Sequence, residues 1–396
     1  MKIGLISHLI SDYNLGCSAL AISNIKLMDE VFQELNIEVE YVVILSEPKE
    51  SINLQNYTSL KGFTNNKFSY RTYPRLKPIL KKPYLLKKIK SFEDLDYVID
   101  LCGGDGYTDN YGIIRLLAES LPIFGCKAKK TKMFFAPQTI GPFNSKIGKL
   151  IAKKSLKNLN SIYVRDKKSY ECCSDLGLKN ITKQVIDVAF ALPYKKKIIN
   201  TDKFNLGINV SGLLYNGGYN YNNYFKLSFS YKDFIDKLLE KLTKDDSVQV
   251  HLIPHVIEPT QGVDDDYSIC EELNKKFINT ILAPKFESAI DAKSYISAMD
   301  LFTGARMHAT IAATSSNVPV IPIAYSRKFN GLYDTLGYKY YIDAKSNLEL
   351  ENAIQLFFEY KDEISNLKKS LDNAKKVYEN NLLLYKDSLK ETMHLK

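Results

Sequence analysis

Short apolar runs alternate with amphipathic stretches along most of the chain. The runs KIGLIS, VEYVVIL, YVIDLC, KMFFAP and SIYVRD have the length and the β-branched and aromatic content of buried strands. Between them, apolar residues recur at helical spacing, over about 18–35 and again near 112–121. Strands that alternate with helices predict an α/β fold with a largely parallel sheet.

This alternation stops after Pro193 and then starts again. A polar, lysine-rich stretch, YKKKIINTDKF, precedes a second series of apolar runs: NLGINVS, VQVHLIP, DLFTG and VPVIPIA. From about Leu348 onward the pattern is helical throughout. We therefore predict two Rossmann-like, doubly wound domains over 1–194 and 195–345, with helices of 346–396 packing back across both domains.

Length and composition agree with this division. The chain has 396 residues, which exceeds the roughly 150 residues of one ordinary domain. Its apolar content of 45% and charged content of 25% are typical of soluble globular proteins, and no stretch approaches the roughly 20 apolar residues of a membrane span. The six cysteines lack metal-ligand spacing, so we expect no metal site and reduced thiols, as in the cytoplasm.

The formal net charge of +9 is concentrated in one segment. Between Glu50 and Glu93 there are ten basic residues and no acidic one. The part at 70–91, YRTYPRLKPILKKPYLLKKIKS, also places Leu85, Leu86 and Ile89 in a short helix predicted near 84–91. Such a segment suits a nucleic acid, an anionic membrane surface or an acidic substrate, and the alternative is a solvated loop.

Ligands of doubly wound sheets bind beyond the carboxyl ends of the strands. After YVIDLC comes GGDGYTDNYG, where glycines permit a tight turn and Asp105 and Asp109 project, able to bind a sugar hydroxyl. The run SIYVRD ends in Arg165 and Asp166, which taken alone form a surface ion pair. The loop SDYNLGCSAL leads into a helix whose free amide groups can receive an anion.

The strongest cluster of candidate residues lies in DLFTGARMHATIAATSSNVPVIPIAYSRK. A strand ends in Gly304, and Arg306 and His308 then occupy the first turn of a helix of small and apolar residues. The planar guanidinium and the positive end of the helix predict an anion site, at which His308 gains or loses a proton. The alternative for a lone histidine here is a buried, hydrogen-bonded side chain. Further basic side chains that favour function follow neighbouring strands: His255, Arg327 and Lys328.

Together with CGGDGYTD, PQTIGP, DVAF and LIPH in the same order, these motifs resemble the polysaccharide pyruvyl transferase family. The resemblance extends from about Ile3 to Gly337. Its most specific part is an Arg-x-His at a helix start followed by a Val-Pro strand and a Tyr-x-x-Lys. The chain departs from the family pattern at Cys17 and at Asp105, both on the acceptor side.

The resemblance implies a GT-B-like fold with the site in an interdomain cleft. Such enzymes transfer the enolpyruvyl group of phosphoenolpyruvate onto two sugar hydroxyls as a ketal and release phosphate, without a cofactor. By resemblance, Arg306 and Arg165 grip the phosphate and carboxylate, His308 is the general acid, and Asp109, or else Asp105, orients or deprotonates the acceptor hydroxyl. The substrate-binding candidates are completed by Asn14, Gly16, Gly103, Gly104, His255, Tyr325, Arg327 and Lys328.

The expected acceptor is a lipid-linked or nucleotide-linked sugar of cell-surface polysaccharide synthesis. The segment 70–91 would then dock on an anionic membrane at its inner face, without a span and with shallow insertion of Leu85, Leu86 and Ile89, or line the cleft and bind an anionic acceptor. We thus expect a cytoplasmic, peripheral protein and leave its oligomeric state open.

Two alternative functions are compatible with parts of the sequence. A nucleotide-sugar glycosyltransferase of GT-B fold shares the architecture, but no glutamate that would contact a donor ribose occurs between Arg306 and Lys345. A nucleic-acid binding module would use the basic segment, yet no recognised binding motif accompanies it, so we expect no nucleic-acid partner.

Overall fold

A computed structural model describes residues 1–46, 66–104 and 106–395, which form two compact units. Unit 1 comprises the described residues of Met1–Ile10, Leu20–Ala191 and Asn380–Lys396, and unit 2 comprises Ser11–Ala19 and Leu192–Glu379. The chain passes from unit 1 to unit 2 just before the predicted boundary at 194.

In its described part, unit 1 has a seven-stranded parallel sheet in the order β3-β2-β1-β4-β5-β6-β7. Its strands are β1 (Lys2–Ile6), β2 (Glu40–Leu45), β3 (Lys67–Thr72), β4 (Tyr97–Asp100), β5 (Lys132–Gln138), β6 (Ser161–Val164) and β7 (Thr182–Gln184). Its helices are α1 (Leu15–Glu34), α2 (Leu76–Lys81), α3 (Ile113–Lys129), α4 (Lys146–Leu156) and α5 (Lys167–Asp175), with 3-10 turns at Pro83–Lys88, Lys90–Phe92, Cys102–Gly104, Lys179–Ile181 and Val188–Ala191.

The described part of unit 2 has a six-stranded parallel sheet in the order β10-β9-β8-β11-β12-β13. Its strands are β8 (Phe204–Asn209), β9 (Val248–Leu252), β10 (Thr280–Leu282), β11 (Leu301–Gly304), β12 (Val320–Ala324) and β13 (Ile342–Asp343). Its helices are α6 (Gly212–Tyr215), α7 (Tyr231–Leu242), α8 (Asp266–Lys276), α9 (Ala289–Ile296), α10 (Met307–Ser315), α11 (Arg327–Leu336) and α12 (Leu350–Asp362), followed by α13 (Ile364–Thr392).

Both sheets follow the doubly wound pattern, so the predicted pair of Rossmann-like domains is confirmed. The central strands are buried on both faces, because helices cover each side of the sheet and only apolar runs fit there. Strand order reverses between β1 and β4 in unit 1, and between β8 and β11 in unit 2. A crevice opens at each reversal, beyond the carboxyl ends of the strands, and ligands bind in such crevices.

The segment 11–19 packs in unit 2, although it follows the first strand of unit 1. Two backbone hydrogen bonds hold it there: Leu15 N donates to the His255 carbonyl at 3.1 Å, and Ile257 N donates to the Tyr13 carbonyl at 3.0 Å. Asn14 and Val256 form an antiparallel bridge between them. The predicted division at 194 did not include this excursion, because it depends on backbone pairing between residues far apart in the sequence.

Helix α13 contributes to both units, since its residues up to Glu379 belong to unit 2 and those from Asn380 to unit 1. In unit 1, the Tyr385 hydroxyl donates to Asn24 Oδ1 at 2.8 Å, and the Tyr163 hydroxyl donates to the Ser388 carbonyl at 2.8 Å. The rings of Tyr163 and Tyr385 pack edge to face, with centroids 5.0 Å apart. The C-terminal residues thus complete the polar and aromatic packing of unit 1.

The basic segment folds as an edge strand followed by short helical turns. β3 is the outermost strand of the sheet, and α2 and the 3-10 turn Pro83–Lys88 follow it. The prediction that Ile89 can insert into a membrane is wrong, because Ile89 is buried in the core of unit 1 and Leu86 packs partly against that core. The side chain of Leu85 lies outside the described ones. The large apolar side chains that α2 and the 3-10 turn do expose are those of Leu80 and Tyr84.

Among the described helices, none combines the length and the apolar character that crossing a membrane requires.

Candidate functional site

The reversal of strand order in unit 2 brings the ends of β8 and β11 side by side, with Asn209 paired to Gly304. Two residues beyond Gly304, the backbone N–H of Arg306 donates to Asn209 Oδ1 at 2.9 Å. Arg306 has extended backbone geometry and is the N-cap of α10. The turn therefore starts α10 directly at the crevice, with Arg306 and His308 at its mouth.

A buried carboxylate, Asp266, ties the loops of this edge together. It lies at the start of α8 and has no exposed surface. Its Oδ1 accepts from Gly212 N at 2.8 Å, and its Oδ2 accepts from the backbone N–H groups of His255 and Val256 at 3.1 and 3.0 Å. The Asn209 side-chain amide donates to the same oxygen at 3.3 Å. Loops that follow β8 and β9 are thus fixed by one side chain.

The guanidinium of Arg306 closes this network. Its Nε and Nη2 donate to Asp266 Oδ1 at 3.1 and 2.7 Å, and Nη2 also donates to Asp264 Oδ1 at 2.6 Å and to the Asp264 carbonyl at 2.7 Å. Burial alone would lower the pKa of Arg306, but Asp266 and Asp264 raise it, so the guanidinium keeps its charge. Within the described residues, Nη1 makes no hydrogen bond and is the group left for a ligand.

Asp264 and Asp266, the partners of Arg306, are not among the site residues predicted from the sequence. Their signal in the sequence is the acidic triplet of GVDDDY, which lies between the candidate His255 and the helix α8. Three adjacent carboxylates at a helix start are ordinarily explained by capping, and Asp265 does cap α8 by accepting from Ser268 N at 3.0 Å. Only the fold shows that its neighbours face the arginine.

His308 packs directly on the N-terminal turn of α1. A Cβ added at Gly16 would lie 2.3 Å from His308 Nδ1 and 3.1 Å from Asn14 Oδ1, closer than side chains can approach. Asn14 caps α1, because its Oδ1 accepts from Gly16 N at 3.0 Å. The structure therefore brings together three predicted site residues, Asn14, Gly16 and His308, and requires the glycine for the contact.

His255 lies beside the same cluster but is fully enclosed. It is 3% exposed, and burial together with repulsion from His308 and Arg306 lowers its pKa from 6.5 to about 3. A histidine with this pKa is neutral near pH 7 and gives up no proton there. We assign it a positioning role, since its backbone N–H and carbonyl bond Asp266 and Leu15 respectively.

Tyr325 follows β12 and packs against a loop rich in aromatic residues, 215–225, called here the aromatic loop. Its ring packs against Phe225 and Phe329, with centroids 5.2 and 5.5 Å away. Tyr224 in turn packs on Phe225 at 5.1 Å. The loop also borders a cavity of about 600 Å³ that is lined by 214–217, 221–223 and 227–232. Arg327 and Lys328 occupy the first turn of α11, directly after Tyr325.

In unit 1, Arg165 forms a buried cluster at the carboxyl end of β6. Its Nη1 pairs with Asp187 Oδ2 at 2.6 Å and its Nε donates to Thr139 Oγ1 at 2.9 Å, while Asp187 is fully buried. The alternative of a surface ion pair with Asp166 is wrong, because both side chains are buried and Asp166 caps α5 by accepting from Ser169 N at 2.8 Å. Asp187, from the DVAF motif, is the partner of Arg165 and was not among the predicted site residues.

The glycine-rich turn lies against this arginine. Gly103 and Gly104 complete the 3-10 turn after β4, and a Cβ at Gly104 would lie 2.6 Å from Leu20 Cδ1 and 3.5 Å from Arg165 Nη1. The Gly104 carbonyl accepts from Thr139 N at 2.9 Å. The structure thus groups the predicted Gly103, Gly104 and Arg165 at the crevice of unit 1.

Asp109 does not project from its loop as predicted. Its carboxylate accepts from Asn144 N, Ser145 N and Ser145 Oγ, each at 2.8 Å. Burial alone would raise the pKa of Asp109, but these hydrogen bonds hold it below the usual value. A carboxylate engaged in this way connects the loop before α3 to the start of α4. Asp105, the second candidate, lies outside the described residues.

Within residues 1–46, 66–104 and 106–395, no three His, Cys, Asp or Glu side chains are grouped so as to hold a metal ion.

A sequence model of the family described as polysaccharide pyruvyl transferase matches residues 14–327. No curated protein matches the chain. Solved structures with the same fold include UDP-GlcNAc 2-epimerase from Neisseria meningitidis bound to UDP-GlcNAc, at 12% identity and a TM-score of 0.61 over 100% of both chains.

The Staphylococcus aureus MnaA–UDP complex is similar at 13% identity and a TM-score of 0.61, over 100% of this chain and 97% of that one. Anabaena Alr3699/HepE with UDP-glucose is 10% identical with a TM-score of 0.58, over 100% and 99% respectively. At such identities the likeness shows the fold alone, and it shows that the predicted GT-B-like fold is correct.

We predict that the two carboxylates of Arg306 differ in their effect on stability. Asp266→Asn removes the buried negative charge that pairs with the Arg306 guanidinium. It also replaces one acceptor oxygen by an NH2 group, a donor that would face other N–H groups. The free energy of unfolding should therefore fall by about 3–5 kcal/mol. Asp264→Asn, at the more exposed partner, should cost about 1 kcal/mol or less. Urea unfolding measures both, and equal losses would contradict the role given to Asp266.

Three enclosed histidines predict a loss of stability in mild acid. Burial lowers the pKa of His8 and of His251 to about 4, and that of His255 to about 3. The unfolded chain, with a histidine pKa near 6.5, binds more protons below that pH, so stability is complete above pH 6.5 and decreases as pH falls toward 4. The limiting slope is about 1.4 kcal/mol per pH unit for each histidine.

Glu119 acts in the opposite direction, since burial raises its pKa to about 7. The folded state therefore binds this proton at a higher pH than the unfolded chain does, which increases the free energy of unfolding as pH falls. Unfolding free energies at several pH values between 7 and 4.5 should therefore fall more steeply for Glu119→Gln than for the unmodified chain. A stability that stays constant over this range in Glu119→Gln would show that the histidines are not neutral in the fold.

Proposed function

Because the chain belongs to the polysaccharide pyruvyl transferase family, we propose that it transfers the enolpyruvyl group of phosphoenolpyruvate onto two hydroxyls of a sugar as a ketal. The observation that carries this proposal is that Arg306 and His308 both lie at the N-terminal end of α10, where the His308 ring packs against Gly16. A guanidinium and an imidazole lie there two positions apart, at the crevice of unit 2, which suits an anion-binding group beside a proton donor.

The donor is small and carries about three negative charges near neutral pH, so its site needs several positive groups. Three of them lie at this edge: the Nη1 edge of Arg306, the backbone N–H groups at the start of α10, and the basic side chains of Arg327 and Lys328. Because Asp264 and Asp266 neutralise much of the charge of Arg306, the helix amides and the basic pair carry more of the phosphate binding than the sequence suggested. A donor contact for Arg165 in unit 1 stays a prediction.

In the proposed reaction, His308 donates its proton to the methylene carbon of phosphoenolpyruvate. That carbon becomes the methyl group, and the adjacent carbon, now electron-deficient, accepts the oxygen of the first sugar hydroxyl. The bond to the phosphate oxygen then breaks, and the second hydroxyl adds to the same carbon to close the ketal. Of the two hydroxyl protons, one restores His308 and the other leaves with the phosphate.

We propose that the acceptor sugar binds at the aromatic loop. Tyr219, Tyr221 and Tyr224 are each more than half exposed, and exposed aromatic rings with neighbouring amides suit the alternating apolar and hydroxyl faces of a pyranose. The ring contacts from Tyr224 through Phe225 lead from this loop to Tyr325, at the carboxyl end of β12. The earlier candidate for the acceptor base, Asp109, stays a prediction that its three hydrogen bonds make less favourable.

The proposed setting is the synthesis of cell-surface polysaccharide in the cytoplasm, on a lipid-linked or nucleotide-linked acceptor. The alternative is a nucleotide-sugar enzyme, since the solved structures of similar fold are described with UDP or UDP-sugars. The two proposals differ in their donor, so one assay separates them.

The assay incubates the full-length protein with phosphoenolpyruvate and a panel of lipid-linked or nucleotide-linked sugars. Stoichiometric release of phosphate, with a gain in acceptor mass equal to one pyruvyl ketal, is the expected result. Turnover or tight binding of UDP-sugars, with phosphoenolpyruvate inert across the panel, would favour the alternative.

Once an acceptor is found, three variants test the roles at α10. His308→Ala should lower kcat by about 10² or more while the KM for phosphoenolpyruvate changes by only a few-fold, because a general acid acts on the transition state. Gly16→Ala should also lower kcat, because its methyl group displaces the His308 ring. Arg306→Lys should raise the donor KM, since an ammonium ion lacks the planar fork.

The control is Gly177→Ala in unit 1, a position where an added methyl group meets no atom within 4 Å although its backbone is strained, so only stability should change. Near-normal kcat in His308→Ala, in protein of normal thermal stability, would remove His308 from the mechanism.

A further inference from the structure

We propose that one face of unit 1 docks on the surface of an anionic lipid bilayer. This face, the cationic face, consists of residues 75–90, 111–129 and 146–157, which include helices α3 and α4. The proposal goes beyond the pyruvyl transfer and does not depend on it, because it concerns binding to the bilayer alone. The sequence pointed only to the segment 70–91, and the structure adds two helices to it.

The fold places these elements side by side. The units β4-α3-β5 and β5-α4-β6 step in the same direction across the sheet, so right-handed crossovers put both helices on one face. Helix α3 packs against α4, and it also packs against α2 and the turn Pro83–Lys88. Asp109 reinforces the arrangement, since its hydrogen bonds to Asn144 and Ser145 join the N-terminal ends of the two helices.

Large apolar side chains protrude from this face. Six of them are at least half exposed, which is unusual for Ile and Leu on a solvated helix, and the most exposed, Ile114, is 76% accessible. They are Leu80, Tyr84, Tyr111, Ile114, Ile147 and Leu150. Helix α4 shows the pattern most clearly, because Ile147 and Leu150 lie one turn apart on its solvent side, between lysines.

Positive side chains surround these apolar ones. The exposed basic residues of the face are Arg75, Lys77, Lys81, Lys82, Lys87, Lys88, Lys90, Arg115, Lys127, Lys146, Lys149, Lys153, Lys154 and Lys157. Residues 75–90 and α4 contain no acidic residue, and the only one of α3 is Glu119, which is half-buried. Apolar side chains that protrude among uncompensated lysines are typical of helices that lie in the headgroup region of anionic membranes.

The apolar component distinguishes a bilayer from a nucleic acid as the partner. Phosphates of a nucleic acid would use the lysines, but Ile114, Ile147 and Leu150 would then stay in water and gain nothing. In a bilayer the same side chains enter the boundary between headgroups and acyl chains. Only a membrane therefore makes use of both the lysines and the exposed apolar side chains.

The chain contains no tryptophan, so a single introduced tryptophan reports on its own surroundings. Ile114→Trp, on the cationic face, is compared with Ile278→Trp, whose position in unit 2 is 86% exposed. Each protein is mixed with unilamellar vesicles containing about 30% phosphatidylglycerol in phosphatidylcholine, and with vesicles of phosphatidylcholine alone. We expect a blue shift of emission for Ile114→Trp with the anionic vesicles only, and none for Ile278→Trp.

Vesicle co-sedimentation then measures separately what the lysines and what the apolar side chains contribute to binding. The set Lys146→Gln, Lys149→Gln and Lys153→Gln should weaken binding by about tenfold or more, and salt should weaken binding of the unmodified protein. The set Ile114→Ser, Ile147→Ser and Leu150→Ser should weaken it by about tenfold at constant charge.

Matched controls in unit 2 are Lys368→Gln, Lys369→Gln and Lys376→Gln, and the exposed pair Ile198→Ser and Ile278→Ser. Each control should bind as the unmodified protein does. The proposal is overturned if no binding occurs at low salt, or if the control sets lose as much binding as the test sets. It is also overturned if RNA binds the face while the apolar set leaves vesicle binding unchanged.

Discussion

The functional edge of unit 2 depends on one buried ion pair, that of Asp266 with Arg306. A carboxylate without exposed surface is stable only when its oxygens are saturated with donors, and here the guanidinium and the backbone N–H groups of two loops supply them. Because the donors come from residues that follow β8, β9 and β11, the pair sets the mutual position of these loops. The place of His308 follows, since it lies two residues beyond Arg306.

In this arrangement the nitrogens of Arg306 have different roles. Its Nε and Nη2 bind Asp266 and Asp264, and within the described residues Nη1 makes no hydrogen bond, so the planar fork can serve both the fold and the proposed ligand. Arg165 in unit 1 is similarly paired with Asp187 and Thr139. The lysines of the cationic face differ from both arginines, because they are exposed and, among the residues that the structure describes, mostly lack carboxylate partners, which suits a diffuse anionic surface more than one small ligand.

Much of the fold could be predicted from the sequence, because it rests on local patterns. Apolar runs bounded by turns gave the strands, and the position of Arg306 and His308 after a run such as DLFTG placed them at a strand end. Contacts between distant segments could not be predicted in this way. Asp266 and Arg306 are far apart in the sequence, and so are Asp109 and Ser145. For the same reason, the apolar spacing around Ile89 could not distinguish a side chain that faces lipid from one that faces the core.

The path of the chain also has a consequence for how the protein folds during its synthesis. Unit 1 contains the first strand, yet Asn24, Tyr163 and Tyr97 obtain their buried partners from Tyr385 and Ser388 of α13 and from Met393 just after it. Domains that are contiguous in sequence can close as soon as they leave the ribosome. Here the N-terminal unit must wait, with part of its aromatic core accessible to chaperones, until unit 2 has been translated in full.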